Sequence, residues 1–143
     1  MNTLTDPQKA FLESEHGAAM ITTSTDGVAH AVRVGIALID GKIWSSGVPD
    51  RKRSLRLRRD PHCTFFVFDK GYKFLTLEGN VRILEGDSVP ELSVRLFRAM
   101  QHRSDGTLAW FGKEMSVTDF KQAMAAEQRL IYEMDITRAY GMV

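Results

Sequence analysis

The sequence predicts a mainly β fold, an antiparallel barrel of six strands with short helices at its periphery. Three observations lead to this prediction. Short β-forming segments follow one another without the crossover helices that a parallel sheet needs. Asp-Gly pairs at residues 26–27 and 40–41 are hairpin turn signals between the first segments. Closure into a barrel then protects the edges that such strands otherwise expose.

Length and composition are those of one globular domain spanning residues 1–143. The chain is 43% hydrophobic and 26% charged, with a net charge of +1, so its overall charge does not indicate a nucleic-acid or membrane-surface partner. No apolar run approaches the roughly 20 residues of a membrane span. The N-terminus lacks a secretory signal, and the single cysteine, Cys63, cannot form a disulfide within the chain. We therefore expect a cytoplasmic protein.

The strands are predicted from β-forming runs between turn signals. They cover residues 18–24, 28–39, 42–46, 62–68, 72–84 and 129–136. Gly79 predicts a bend or bulge within the fifth strand. A short helix is expected before the first strand, since Asp6 is a good N-cap, Pro7 suits the first helical position, and Gly17 can end the helix.

Two more helices are predicted between the fifth and sixth strands. Apolar residues recur at helical spacing from Val89 to Met100, and Ser116–Asp119 resembles a capping box. The polar stretch between these helices, residues 102–112, is predicted to be a mobile or interface loop.

The second predicted strand has two different faces. Val28, Val32 and Val34 alternate with small residues and share their face with His30, so this face is expected in the core. The opposite face carries Ala29, Ala31, Arg33, Gly35 and Ala37. Such small residues leave room for a flat ligand, a helix or a second subunit, and the residues alone leave these alternatives open.

A basic stretch, Arg51–Arg59, is the strongest local signal, and we call it the basic segment. It holds five arginines and one lysine, follows a Gly-Val-Pro turn and interrupts the β pattern. Arginine pairs with phosphate oxygens, and the start of a helix adds free N–H donors. A solvated charged helix is the alternative, but the position of the segment between two strands favours a phosphate site.

Other chemistry is not indicated by the sequence. The four histidines lack metal-ligand spacing, so no metal site is predicted. The chain has none of the common hydrolase, P-loop or dinucleotide-binding motifs. No side chain is identified as a catalytic proton donor, and Cys63 is expected to be packed in the core.

The ordered motifs ITTSTDGVAHAVRVG, IWSSGV, RKRSLRLRRDP, DKGYKFLTLEG, TDFKQAM and IYEMDITRAYGM resemble a known family. They are similar to the split β-barrel flavin and deazaflavin oxidoreductases related to pyridoxamine 5′-phosphate oxidase. The similarity is greatest to the actinobacterial branch that binds the deazaflavin coenzyme F420. The resemblance runs from about Ala18 to Met142, and it implies an FMN-binding-like split barrel that forms a homodimer with the cofactor at the interface.

The resemblance also implies where the cofactor binds. Arg53 matches the family's phosphate-gripping lysine, and Ser46 matches a position beside the cofactor. Tyr72, Lys73 and Phe74 match a cofactor-lining segment that opens the fifth strand. The family commonly reads K-x-R-N-L where this chain has RSLRL, so Arg56 replaces an asparagine and would suit the acidic polyglutamate tail of F420. The expected cofactor-binding residues are Ser46, Arg51, Lys52, Arg53, Ser54, Leu55, Arg56, Tyr72, Lys73 and Phe74.

The implied reaction is hydride transfer between reduced F420 and a small conjugated organic substrate, with the cofactor supplying the chemistry. Three alternatives stay open. The same fold with FMN would act as an oxidase or reductase. A deazaflavin-binding protein without turnover belongs to a different functional class. A haem-binding split barrel is the third, although no histidine is placed to ligate haem.

Overall fold

The computed structural model describes residues 4–143 and contains four helices and nine strands in that range. The first helix, α1 (Asp6–Ser14), begins at a reciprocal capping box: the Thr5 hydroxyl accepts from the Gln8 amide, and the Gln8 side chain accepts from the Thr5 amide. Phe11 and Leu12 on α1 are buried against the main core. The predicted first helix is therefore confirmed, but the prediction that Asp6 is its N-cap is wrong: Thr5 caps the helix, Asp6 and Pro7 are its first two residues, and it ends at Ser14, before Gly17.

Seven strands form one antiparallel sheet that curls into a half-barrel. They are β1 (Gly17–Thr23), β2 (Ala29–Gly35), β3 (Ala37–Ile39), β4 (Lys42–Gly47), β5 (His62–Phe68), β6 (Phe74–Leu84) and β9 (Leu130–Met142). Their order across the sheet is β2-β1-β5-β6-β9-β4-β3. The mainly β, split-barrel fold class predicted from the sequence is confirmed. The predicted number of six strands is wrong, because residues 4–143 contain nine.

The differences in strand number and length are explained by hydrogen bonding. The predicted strand 28–39 breaks at Ile36, whose amide donates to the His16 carbonyl at 2.8 Å, so β2 and β3 become separate edge strands. The stretch predicted to be a loop, residues 102–112, contains the first strand of a hairpin, β7 (Leu108–Trp110), and the second strand, β8 (Lys113–Met115), follows directly after it. The last strand extends to Met142, well past its predicted end, because its second half pairs with β6.

The geometry of the turns is explained by the residues that form them. Asp40 and Gly41 have φ values of 51° and 79°, as a two-residue primed turn requires. Gly27 also has positive φ, but Asp26 does not, and the Ser24 amide bonds the Val28 carbonyl at 3.0 Å. The first hairpin therefore turns through the three residues 25–27. The predicted bulge at Gly79 is confirmed by the register shift between Glu78 and Gly79.

Helices α2 (Lys52–Arg59), α3 (Val89–Gln101) and α4 (Val117–Ala126) complete the fold. One core fills the concave side of the sheet, and a second lies on the outer side of β4 and β9, beneath α3, α4 and the β7–β8 hairpin. The Ser116 hydroxyl caps α4 by accepting from the Asp119 amide at 3.1 Å. Both predicted later helices are thus confirmed.

The first half of the second predicted strand is less buried than expected. Val28 is 50% exposed and Val32 is 37% exposed, so the prediction that they belong to the core is wrong for the single chain. The small residues of the other face, Ala29 and Ala31, are exposed as well. Strand β2 lies at the edge of the sheet, where it has a neighbour on one side only.

Candidate functional site

The basic segment is anchored to the barrel through a buried tyrosine. Tyr132 on β9 is fully buried, and its hydroxyl lies 2.6 Å from the Ser54 hydroxyl. Ser54 also donates to the Val48 carbonyl at 2.8 Å, which ties the start of α2 to the loop that precedes it. Gly47 makes this possible, because a Cβ there would lie 2.5 Å from Tyr132 Cζ. These four residues fix the position of the basic segment.

A pocket of about 740 Å³ opens between the basic segment and the edge strand β2. We call it the basic pocket. Its lining residues are Thr22, Ala29, His30, Ala31, Val32, Asp50, Arg51, Lys52, Arg53 and Arg56. His30 and Val32 pair across to Thr22 and Met20, whose side chains lie on the concave face of the sheet. The basic pocket therefore lies at the free edge of the sheet, beside strand β2.

The electrostatics of the basic pocket favour an anion. Its four cationic side chains belong to Arg51, Lys52, Arg53 and Arg56, and Asp50 is its one carboxylate. None of the four cations forms an ion pair with another residue of the range 4–143. Cations gathered without carboxylate partners repel one another, so an anionic ligand would lower the energy of this arrangement.

Arg53 has the most distinctive environment of the four cations. Its guanidinium lies 5.7 Å from the centre of the Tyr132 ring, and its Nε is buried without a hydrogen-bond partner in the described chain. A buried N–H without a partner costs about 1–3 kcal/mol. An incoming phosphate oxygen would recover part of that cost, so the residues present fit a phosphate-bearing cofactor.

The other arginines of the basic segment brace the fold. Arg58 pairs with Glu85 at 3.1 Å, and the Arg59 guanidinium donates to the Thr23 carbonyl. Leu55 is 59% exposed and borders a neighbouring surface recess instead of the basic pocket. Ser54 is turned inward, where its hydroxyl is already engaged. Within the basic segment, Arg51, Lys52, Arg53 and Arg56 thus line the basic pocket, whereas Ser54 and Leu55 do not.

Four other expected site residues lie away from the basic pocket within one chain. Ser46 pairs with Ile131 and shares its face, on the side of the second core, and its Oγ is buried without a partner in residues 4–143. Tyr72, Lys73 and Phe74 lie at the β5–β6 turn, at the opposite end of β5 from residue 62. At about 3.3 Å per residue, that separation along the strand is about 20 Å.

His30 lines the basic pocket and belongs to a local network of hydrogen bonds. Ser24 Oγ lies 3.0 Å from His30 Nε2 and donates to the Asp26 carboxylate, and Asp26 also accepts from the Val28 amide. These hydrogen bonds hold the pKa of Asp26 below its ordinary value, with the Ser24 bond as the largest cause. The first hairpin turn brings these residues together.

Thiol and metal chemistry find no support in the described residues. Burial raises the pKa of Cys63 to about 12, so its thiol stays protonated at neutral pH. Within residues 4–143 no three His, Cys, Asp or Glu side chains gather in a way that could hold a metal ion. The helices of this range are also too short or too polar to cross a membrane.

The family follows from a match over almost the whole chain. The model of the pyridoxamine 5′-phosphate oxidase family matches residues 4–142. The chain therefore belongs to the pyridoxamine 5′-phosphate oxidase family. This fold is that of flavin- or deazaflavin-binding oxidoreductases. Among curated proteins, none matches the sequence.

Solved structures agree with this fold at low sequence identity. The conserved hypothetical protein Rv2991 from Mycobacterium tuberculosis has a TM-score of 0.73 at 19% identity, covering 98% of this chain and 85% of that one. An F420 reductase gives 0.72 at 16% identity, covering 96% and 98%. A putative pyridoxamine 5′-phosphate oxidase from Listeria innocua gives 0.65 at 18% identity, covering 95% of each chain.

The roles of Tyr132 and His30 in the site could not be predicted from the sequence. Tyr132 lies 78 positions from Ser54, so their contact is invisible to local patterns. His30 is a single histidine on a strand, and by itself such a residue indicates nothing. Its proximity to Ser24 follows only once the hairpin and its three-residue loop are known.

Proposed function

We propose that this protein is an F420-dependent oxidoreductase that transfers hydride between the deazaflavin and a small conjugated organic substrate. The observation that carries the proposal is the basic pocket, in which four cations lack carboxylate partners and one guanidinium Nε is buried without a hydrogen bond. Family membership and the likeness to a structure described as an F420 reductase support it. The deazaflavin supplies the hydride chemistry when bound.

The protein's own residues would bind the cofactor and orient it. Arg53 would hold a phosphate oxygen through its buried guanidinium, with Arg51 and Lys52 adding charge at the mouth of the basic pocket. Arg56 lies deeper, within 3.5 Å of the Thr22 hydroxyl, and would take a second anionic group. The Tyr132–Ser54–Val48 anchor would keep these groups in place without reorganisation when ligand arrives.

We also propose that the site is completed by a second copy of the chain. Tyr72, Lys73 and Phe74 lie far from the basic pocket in one chain, and Phe68 and Tyr72 expose 44% and 76% of their surface nearby. A two-fold partner places the same surface patch of each copy against the other, and a site on one copy then receives residues from the other. Sedimentation equilibrium should give twice the chain mass, and a monomer would contradict this part of the proposal.

The deciding experiment titrates the purified protein with F420 and, separately, with FMN. We expect micromolar binding of F420, weaker binding of FMN, and oxidation of reduced F420 by at least one member of a panel of quinones and enones. A yellow protein that carries FMN would instead support an FMN enzyme of the same fold. Tight F420 binding without turnover of any panel member would support a deazaflavin-binding protein that is not an enzyme.

A further inference from the structure

The hydrogen bonds of His30 fix which of its nitrogens carries a proton. The Ser24 hydroxyl has one hydrogen, and it points to the Asp26 carboxylate and the Val28 carbonyl, both of which can only accept. Ser24 Oγ can therefore only accept at its 3.0 Å contact with His30 Nε2, so Nε2 carries a hydrogen. In the neutral imidazole, Nδ1 is then an acceptor with a lone pair. Nδ1 has no hydrogen-bond partner among residues 4–143.

The surroundings of His30 combine charges of both signs. Asp26 acts on it through Ser24 from the hairpin turn, and β1 contributes the neutral hydroxyl of Thr22. Across the basic pocket, the loop and α2 contribute the charged groups Asp50, Arg51, Lys52, Arg53 and Arg56. A bound anion would screen these cations and would itself attract an imidazolium.

We propose that His30 is a further anion-binding residue of the basic pocket and that it binds in its doubly protonated form. In the neutral ring Nδ1 can only accept, so it has no hydrogen to donate to an anionic oxygen. Uptake of one proton converts Nδ1 into a donor while Nε2 keeps its hydrogen bond to Ser24. The ligand class is a phosphoryl or sulfuryl group, and its binding near neutral pH would be accompanied by uptake of a fraction of a proton from solvent. This inference does not depend on which cofactor the protein uses.

Sulfate is the suitable probe, because it stays doubly charged throughout the pH range in which histidine titrates. We would follow the imidazole C–H resonances of His30 by NMR from about pH 5 to pH 8, the range in which histidine changes charge, with and without sulfate at constant ionic strength. Sulfate should move the His30 midpoint upward by about one pH unit, which corresponds to about tenfold tighter sulfate binding by the protonated form. An unmoved midpoint would overturn the proposal.

The variants test the same point by calorimetry. Sulfate affinity in the parent should fall by about tenfold from acidic to alkaline pH, the fold-change of that one-unit shift, and His30→Gln should remove this dependence. His62→Gln is the matched control, because His62 is exposed, contacts Asp60 and does not line the basic pocket. A pH dependence that survives in His30→Gln would assign the proton to another group. Since the assay contains no F420, a failed F420 proposal would leave its result intact.

Discussion

Replacing Gly47 by alanine should damage both stability and ligand binding, because this glycine makes room for the Tyr132 side chain. An added Cβ would lie 2.5 Å from Tyr132 Cζ and closer still to the hydroxyl. Tyr132 is fully buried, so it cannot move into solvent to relieve the clash. Either the ring shifts within the core, or the end of β4 shifts away from it.

The magnitude follows from two contributions. Overpacking a well-filled core costs about 1–3 kcal/mol. Displacing the tyrosine also weakens its 2.6 Å contact with Ser54, and a lost hydrogen bond costs about 0.5–1.5 kcal/mol. The sum is about 3 kcal/mol, which for a domain of this size lowers the Tm by about 10 °C. Because the same contact positions the basic segment, affinity for a phosphate-bearing ligand should fall as well.

Thermal and urea unfolding of the parent and Gly47→Ala measure this directly. Gly17→Ala is the matched control, because it makes the same substitution in a strand of the same sheet and its Cβ meets nothing within 4 Å. We expect the control to unfold within about 0.5 kcal/mol of the parent, as ordinary surface substitutions do. Equal stabilities of Gly47→Ala and Gly17→Ala would refute the anchor at Tyr132.

Three more predictions concern single side chains. Tyr132→Phe removes only the hydroxyl, so it should cost about 0.5–1.5 kcal/mol in urea unfolding; an unchanged midpoint would mean that the Ser54 contact is not stabilising. Phe111 is 78% exposed and has a φ of 49°, so Phe111→Asn should raise stability by up to about 1 kcal/mol by relieving left-handed strain. The Phe111 ring lies 4.5 Å from the Trp110 ring between centroids, and a loss of stability would show that this contact outweighs the strain. Burial raises the pKa of Cys63 from 9.0 to about 12, so the unfolded chain loses this proton first and stability should fall as pH rises between those values. At pH 8 a thiol reagent should label Cys63 slowly in the native protein and quickly in denaturant, and rapid native labelling would contradict the burial.

Local chemistry explains the parts of the fold that the sequence predicts well. The Asp40–Gly41 turn and the bulge at Gly79 follow from backbone preferences of those residues. The break at Ile36 could not be foreseen, because it depends on a hydrogen bond to His16, which lies 20 positions away. The β7–β8 hairpin has strands of three residues, which are too short for a pattern of alternation to be recognised.

In the candidate site, too, local features can be predicted from the sequence, whereas contacts between distant residues cannot. A charge run is visible in the sequence, so the basic segment can be located from the sequence alone. Which of its members face a ligand depends on partners elsewhere, such as Glu85 for Arg58 and Tyr132 for Ser54. The positions carried over by resemblance include Phe74, which lies far from Arg53 in a single chain, so in the dimer that we propose the two residues would come from different copies.

The most direct test of the phosphate site compares F420 binding by Arg53→Ala and Arg58→Ala in the same calorimetric titration. Both variants lose one positive charge from α2, but only Arg53 lines the basic pocket, whereas Arg58 pairs with Glu85. Loss of a charge-assisted hydrogen bond costs about 1.5–3 kcal/mol, so Arg53→Ala should bind F420 about 10- to 100-fold more weakly, with Arg58→Ala close to the parent. Equal affinities in the two variants would contradict the assignment of Arg53 as the phosphate anchor.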